Sequence, residues 1–249
     1  MRVATRPGAS KWRPGLLRFV MIVLAGVTGF AVQPACAGRD YGFVDERSPV
    51  SKSETGNSAQ ELFHTRAIAI PNNRFRDKWD GLLKSLKATS VFDMCGAARG
   101  TCSGAANRWL SYLSTLRTLP KTEQIVLVNR YINWHIRYAN DNSAYGARDY
   151  WATPLQSIGG RGDCEDFASA KYFSLISLGF SDDQMRVVIV RDLNIGELHA
   201  VVTISLAGQI YVLDNRSERV LRDSDVLSMY RPIYSFNQSQ NWMHMSRSG

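Results

Sequence analysis

This sequence contains few of the residues and sequence patterns that common binding sites require. Only four cysteines and four histidines are present among 249 residues, and they do not form the Cys and His pairs of a typical zinc site. The longest apolar run, at positions 19–32, is shorter than the roughly 20 residues that cross a membrane. Beyond the N-terminus no cluster of basic residues interleaved with aromatic ones occurs, so the sequence does not support nucleic-acid binding.

The N-terminal residues have the layout of a secretory signal peptide. Five basic residues and no acidic residue precede the apolar run, and Ala35 and Ala37 place small side chains at the two positions that a signal peptidase reads. Cleavage after Ala37 removes those five charges and lowers the formal net charge from +8 to +3; retention of the run as an uncleaved anchor is the alternative. We therefore predict three segments: a signal peptide at 1–37, a flexible polar leader at 38–66 and one domain at 67–249.

Export leaves three cysteines, because Cys36 belongs to the signal. Cys95 and Cys102 are separated by a loop of small residues that is flexible enough to close a disulfide, and an oxidising compartment permits that bond. Zinc binding is the alternative for this pair, although the further ligand pairs of a zinc site are missing. If the two cysteines pair, Cys164 is left as an odd thiol in an exported protein, which makes it a candidate for reactivity.

A glycine-rich turn delivers Cys164 to the start of a predicted helix. The apolar run that follows the cysteine indicates a buried helix that ends at Gly179. A thiol at a helix N-terminus lies where the helix dipole and unpaired N–H groups favour negative charge, so its pKa can fall. The ordinary alternative is a small buried hydrophobic residue, which is the usual role of a free cysteine.

The order of periodic segments predicts the fold class. Three amphipathic helices are predicted before the Cys-bearing helix, beginning near Pro71, Ala105 and Thr122. After Gly179 the apolar period changes to alternation, which indicates strands. These strands are predicted at 185–190, 197–205 and 209–213, with one or two more within 230–242. Helices followed by strands predict an α+β fold, with the N-terminal helices and the Cys-bearing helix packed on an antiparallel sheet.

Two of these strands form a hairpin that brings a histidine close to an aspartate. If the turn is centred between Ala207 and Gly208, His199 and Asp214 become diagonal neighbours on one face, about 7–8 Å apart at the backbone. A shift of one residue would place them on opposite faces, but the apolar positions of the first strand favour the former register. Together with Cys164 the pair predicts a catalytic triad. Taken singly, a packing histidine and a turn aspartate are the ordinary alternatives.

The segment that leads into Cys164 is a candidate wall of a substrate cleft. Residues 137–163 lose periodicity and gather aromatic and acidic side chains, among which Asp149 and Trp151 are the cleft candidates. The alternative is a loop whose aromatic residues cover the core.

At these residues the chain resembles the bacterial transglutaminase-like cysteine proteinases, over roughly positions 67–242. The matching motifs are Gly162-Asp163-Cys164-Glu165-Asp166, His199-Ala200-Val201 and Leu213-Asp214-Asn215. The resemblance implies a papain-like/transglutaminase-like fold and a thiol protease that uses Cys164, His199 and Asp214 as its triad.

For the periplasmic, adhesin-releasing members of that family, the resemblance also implies a calcium cofactor, with ligands among Asp163, Glu165 and Asp166. It further implies cleavage of a large cell-surface adhesin, control of biofilm attachment, and regulation by an inner-membrane receptor for cyclic di-GMP. Considered as residues alone, three neighbouring acids do not supply the six to eight ligands that calcium takes, and Asp163 is equally suited to be a helix N-cap.

Two other functions fit the same residues. The triad also serves acyl transfer of the transglutaminase or amidase type, and a non-catalytic periplasmic module could use this fold to hold a partner. A complete triad favours an enzyme over the binding module.

Overall fold

The computed structural model describes residues 61–89, 102 and 104–246. The helices are α1 (Arg74–Thr89), α2 (Gly104–Leu116), α3 (Lys121–His135), α4 (Asp141–Tyr145), α5 (Pro154–Ser157) and α6 (Cys164–Ser177). The strands are β1 (Glu61–Leu62), β2 (Thr65–Ala69), β3 (Arg137–Tyr138), β4 (Arg161–Gly162), β5 (Met185–Asp192), β6 (Leu198–Leu206), β7 (Gln209–Leu213), β8 (Leu221–Arg222), β9 (Tyr230–Phe236) and β10 (Asn241–Ser246). Single 3-10 turns lie at Asp182–Gln184 and Asp223–Val226.

Eight of the strands form one sheet in the order β1-β2-β10-β9-β5-β6-β7-β8. The central strand β5 pairs antiparallel with β6 on one side and with β9 on the other. The β6–β7 hairpin turns at Ala207 and Gly208, which have φ values of 50° and 79°, and a two-residue hairpin turn of type I′ requires positive φ at both positions. Val202 pairs with Leu213 across this hairpin. The predicted register, in which the turn is centred between Ala207 and Gly208, is therefore confirmed.

The helices cover one face of the sheet and form the main core with it. Trp79 of α1 stacks on Phe173 of α6 with ring centroids 5.3 Å apart, and Trp109 of α2 donates from Nε1 to Ser174 of α6. Adjacent β5 residues face opposite sides, with Ile189 in this core and Val188 in a smaller cluster on the other face. Each such buried side chain contributes about 1.5–3 kcal/mol. The predicted α+β class, with helices packed on an antiparallel sheet, is confirmed.

The sheet begins earlier in the chain than the sequence analysis predicts. Residues 61–66, which belong to the predicted polar leader, contain β1 and the start of β2. The physical reason is the apolar pair Leu62 and Phe63, each 4% exposed, which packs into the smaller cluster. Two apolar residues in a polar segment give little periodic signal, and only the sheet provides the surface that buries them.

Several predictions concern residues that lie outside the described part of the chain. These are the signal peptide, most of the leader, and Cys95. Cys102 is described and half-buried, but its pairing with Cys95 stays a prediction. Within the described residues, no helix is both long enough and apolar enough to span a membrane.

Candidate active site

Cys164 is the first residue of α6, at the end of the glycine-rich turn. Its side chain is 8% exposed, and Sγ donates to Glu165 Oε2 over 3.0 Å. The preceding Gly162 is required by packing, because a Cβ at that position would lie 2.4 Å from Asp166 Oδ2. The absence of a side chain at Gly162 lets a buried carboxylate approach the backbone beside the thiol.

His199 and Asp214 form a buried pair at the end of the β6–β7 hairpin. His199 Nε2 lies 2.8 Å from Asp214 Oδ1, and the two residues are each 1% exposed. Because the carboxylate accepts a hydrogen bond from Nε2–H, the basic nitrogen of a neutral His199 ring is Nδ1. The structure therefore brings together the two residues that the hairpin register predicts to be neighbours.

Asp214 is held as a carboxylate by several donors. Its Oδ2 accepts from the Tyr230 hydroxyl over 2.6 Å, and Oδ1 also accepts from the Arg216 backbone N–H over 3.0 Å. Burial alone would raise the pKa of Asp214, but His199 and these two donors together hold it well below its usual range. Tyr230 was not among the predicted site residues, and it lies in a strand 16 positions beyond Asp214, where no local sequence pattern connects the two.

The Cys-bearing helix packs directly on the strand that carries His199. Helix α6 contacts both β6 and β5, and Cys164 belongs to the same core cluster as Ala200, the residue after His199. The fold thus packs the helix that begins at Cys164 on the strand that carries His199.

On the other side of Cys164 lies a cluster of five carboxylates. Asp141, Asp149 and Glu165 each offer an oxygen within 4.8 Å of the others, and so do Asp141, Asp163 and Asp166. The predicted metal ligands Asp163, Glu165 and Asp166 therefore lie together, and the structure adds Asp141 and Asp149. Asp149 was predicted as a cleft residue, and it also contacts Lys78. Asp141 was not predicted, because its approach to Glu165 depends on how the irregular segment folds.

The carboxylates of this cluster repel one another. Burial, followed by the charge of Glu165, raises the pKa of Asp163 to about 11, and burial likewise raises the pKa of Asp141. Oδ1 of Asp141 and Oδ1 of Asp163 are buried and have no hydrogen-bond partner among the described residues. Asp163 occupies the N-cap position of α6 without a side-chain capping bond. A set of buried carboxylate oxygens with unused acceptors fits a hard divalent cation such as Ca²⁺.

Asp166 differs from its neighbours because both of its oxygens have donors. Oδ1 accepts from the Ala152 N–H over 2.8 Å and Oδ2 from the Tyr145 hydroxyl over 3.0 Å. Burial raises the pKa of Asp166 to about 7, against the lowering effect of these two bonds. Asp166 therefore ties the irregular segment to the helix that carries Cys164.

Trp151, the second predicted cleft residue, lies against the core. Its side chain is 9% exposed and its ring centroid is 5.7 Å from that of Phe236. This placement agrees with the alternative in which aromatic residues of the segment cover the core, and its role in a cleft stays a prediction.

A helix that begins at a cysteine and packs on an antiparallel sheet with a buried His–Asp pair defines the transglutaminase-like class of cysteine peptidases. The model of one family, the bacterial transglutaminase-like cysteine proteinases, matches residues 85–249. The chain belongs to this family and is a cysteine peptidase.

Solved structures agree with this assignment. Calcium-bound LapG of Legionella pneumophila is 29% identical over 61% of this chain and 87% of that chain, with a TM-score of 0.53. EGTA-treated LapG of the same organism is 28% identical over 64% of this chain and 88% of that chain, with a TM-score of 0.54. No curated protein matches the chain.

Proposed function

We propose that this protein is a periplasmic, calcium-dependent cysteine endopeptidase that cleaves a large cell-surface adhesin and thereby controls biofilm attachment. The observation that carries the proposal is the buried His199–Asp214 pair, with a separation of 2.8 Å, on the sheet against which the Cys164 helix packs. Cys164 is the nucleophile, His199 the general base and acid, and Asp214 the residue that orients the imidazole.

The reaction follows from the protonation states of these groups. His199 Nδ1 takes the proton of Cys164, and the thiolate attacks the scissile carbonyl carbon. The imidazolium returns that proton to the leaving amine as the C–N bond breaks, which leaves a thioester on Cys164. A water molecule that gives its proton to His199 then attacks the thioester and releases the acid product together with the thiolate. The N–H of Cys164, at the start of α6, would donate to the oxyanion.

Calcium binding is supported by the carboxylate cluster. Asp141, Asp149, Asp163 and Glu165 would hold the ion, and Asp166 would support them from the bonds it makes to the irregular segment. A bound divalent cation supplies the positive charge that compensates these carboxylates. The Glu165 carboxylate accepts the hydrogen bond of the Cys164 thiol. Binding of calcium by the same carboxylate would therefore compete with this hydrogen bond.

The periplasm and the adhesin rest on other support. The N-terminal charge pattern and apolar run are those of an exported protein, and the family to which the chain belongs, with LapG among its similar structures, supports an adhesin as the protein substrate. An inner-membrane receptor for cyclic di-GMP is the proposed regulator on the same ground.

The test is cleavage of a purified fragment of a large repeat adhesin from the same cell, with calcium present. We expect two discrete products from the wild-type protein and none from Cys164→Ala or His199→Gln. The matched control is His135→Gln, since His135 is exposed and stacks on Tyr131, and it should cleave at the wild-type rate. Product formation by folded Cys164→Ala would refute the mechanism.

A second arm separates hydrolysis from acyl transfer. The same reaction is run with a primary amine in excess, and the masses of the products are measured by mass spectrometry. Free carboxyl termini support the peptidase, whereas an adhesin fragment joined to the amine would show that the triad works in acyl transfer.

A further inference from the structure

Lys78 of α1 is a basic side chain that contacts the carboxylate cluster beside Cys164. Its Nζ lies 3.4 Å from Asp149 Oδ2, and Nζ also donates to the backbone carbonyl oxygen of Asp149. Among the residues that the structure describes, this is the one ion pair within 4 Å that a carboxylate of the cluster forms. The calcium binding proposed above gives Lys78 no role.

One peptide group joins Lys78 to the interior of the cluster. Lys78 binds the carbonyl oxygen of the Asp149–Tyr150 peptide, and the N–H of the same peptide donates to Asp141 Oδ2 over 2.6 Å. Asp141 is 7% exposed, and its other oxygen has no hydrogen-bond partner among the described residues. The ammonium group and the buried carboxylate are therefore bound to the two ends of one planar peptide unit.

The ion pair itself is exposed, so that another cation can replace it. The side chains of Lys78 and Asp149 are 40% and 60% exposed, and pairs with such exposure contribute little because water and salt screen them. Asp149 also offers an oxygen within 4.8 Å of oxygens of Asp141 and Glu165. A divalent cation held by these oxygens would be attracted by three carboxylates, whereas Lys78 pairs with one.

We propose that Lys78 is the counter-ion of Asp149 in the calcium-free protein and gives up this carboxylate when calcium binds. The inference rests on the proposed function, since it assigns Lys78 a role in calcium binding. The ammonium group repels a second cation and competes with it for Asp149 Oδ2, so Lys78 lowers the affinity for calcium. Through this exchange, occupancy of the cluster changes the contact between α1 and the irregular segment that leads into Cys164.

A purely structural role of Lys78 predicts the opposite result. If Lys78 only held the Asp149–Tyr150 peptide in place, its loss would loosen the group that donates to Asp141, and calcium binding would weaken. If Lys78 is a counter-ion, its loss removes a repelling charge, and calcium binding strengthens. The sign of the change in affinity therefore separates the two roles.

The experiment is a calorimetric titration of calcium chloride into the protein after EGTA treatment and dialysis. Lys78→Met should bind calcium about threefold to tenfold more tightly than the wild-type protein, as expected for removal of one positive charge beside a partly exposed site. The gain should shrink in about 0.5 M sodium chloride, because salt screens the charge. Lys78→Arg keeps the charge and should bind calcium as the wild-type protein does. The matched control is Lys84→Met, which removes an exposed lysine of the same helix.

A second measurement follows Lys78 in the wild-type protein. Acetylation by an N-hydroxysuccinimide ester, mapped by mass spectrometry, should be faster at Lys78 when calcium is present, because the ammonium group has left Asp149, while the rate at Lys84 stays the same. Unchanged acetylation of Lys78 would overturn the inference, and so would a calcium affinity of Lys78→Met equal to or below that of the wild-type protein. Failure of the proposed cofactor is distinguishable, because the wild-type protein would then bind no calcium at all, which would overturn both.

Discussion

Around Asp214 each carboxylate oxygen has a hydrogen-bond donor, whereas around Asp163 the carboxylates face one another. On the first side, which we call the base side, His199, Tyr230 and the Arg216 N–H satisfy one buried anion. On the second, the acid side, Asp141 and Asp163 each retain a buried oxygen without a hydrogen-bond partner. The acid side contacts the Cys164 thiol through Glu165, and the base side lies on the sheet whose strand β6 packs against α6.

The difference shows what each side requires in order to be stable. A buried anion with donors at both oxygens is favourable when the chain folds, so the base side is preorganised by the sheet register alone. Several buried carboxylates without a cation are unfavourable, because desolvation and mutual repulsion both act against ionisation. We therefore expect the stability of the acid side, more than that of the base side, to depend on a bound cation.

The largest expected effect comes from removing the anion of the base side. Asp214→Asn keeps the size of the side chain but no longer fixes the Nε2–H tautomer of His199. We expect kcat/KM for the adhesin fragment to fall by about 10⁴-fold, with the protein still folded by circular dichroism. A fall of less than tenfold in a folded variant would mean that the pair is structural. Asp77→Asn, at an exposed position of α1, is the control.

The pH dependence of unfolding reports on buried titratable groups, among which His244 and Asp214 both lose stability in acid. The buried His244 ring forms two hydrogen bonds, between Nδ1 and Thr65 Oγ1 over 2.9 Å and between Nε2 and Ser235 Oγ over 2.8 Å. Burial and then the charge of Arg186 lower the pKa of His244 to about 4. The unfolded chain binds this proton near pH 6.5, so His244 contributes up to about 3 kcal/mol of stability that is lost as the pH falls from about 6.5 to about 4, whereas the raised pKa values of Asp163 and Asp166 act in the opposite direction over the same range.

Substitution of His244 separates this loss from that of Asp214. The unfolding free energy is measured with urea in a metal-free buffer at a series of pH values, and its slope between pH 6.5 and 4 in His244→Gln should differ from the wild-type slope by the contribution of His244. The contribution of Asp214, whose folded pKa is depressed, should still be lost as the pH falls below about 4. An unchanged slope would show that His244 takes up its proton normally, and exposed His135→Gln is the control.

On the acid side the expected effect is stabilisation by calcium. A ligand at about 100 times its Kd stabilises the folded state by about 2.7 kcal/mol, so added calcium should raise Tm and EGTA should reverse the rise. Asp141→Asn should remove most of the response, because it deletes a central carboxylate, whereas Asp77→Asn should retain it. A calcium-independent Tm in the wild-type protein would remove the ion from the proposed function.

Calcium also provides a test of the contact between the two sides. Glu165 accepts the Cys164 thiol, so its use as a calcium ligand should change the rate at which iodoacetamide alkylates Cys164. In Glu165→Gln that dependence on calcium should be lost. Equal rates with and without calcium in the wild-type protein would show that the acid side stabilises the fold without acting on the thiol.

The two sides also differ in how far they could be predicted from the sequence. The register that places His199 beside Asp214 follows from a two-residue turn and an alternating strand, both local patterns. Cys164 at a helix start and the change from helical to alternating period are also local. Asp141 and Tyr230 were missed because each joins its partners through long-range folding: one by the path of an irregular segment, the other by β9 pairing with β5. Leu62 and Phe63 were missed for the same reason, since the sheet that buries them is completed by β10.

The smallest expected effect comes from removing one tyrosine hydroxyl on each side, in both cases by substitution with phenylalanine. Tyr230→Phe removes the donor to Asp214 Oδ2 and leaves that oxygen buried without a partner, which costs about 1–3 kcal/mol of stability. It also makes Asp214 a stronger base toward its remaining partner, so the pKa of His199 should rise and kcat/KM should fall by about tenfold. Tyr145→Phe removes the hydroxyl that bonds to Asp166 Oδ2 and to the Arg161 carbonyl oxygen, and it should lower Tm while the His199 titration stays at its wild-type position. If both variants shifted the pKa of His199 equally, the two sides would form one coupled network. The distinction between a preorganised side and a ligand-dependent side would then be wrong.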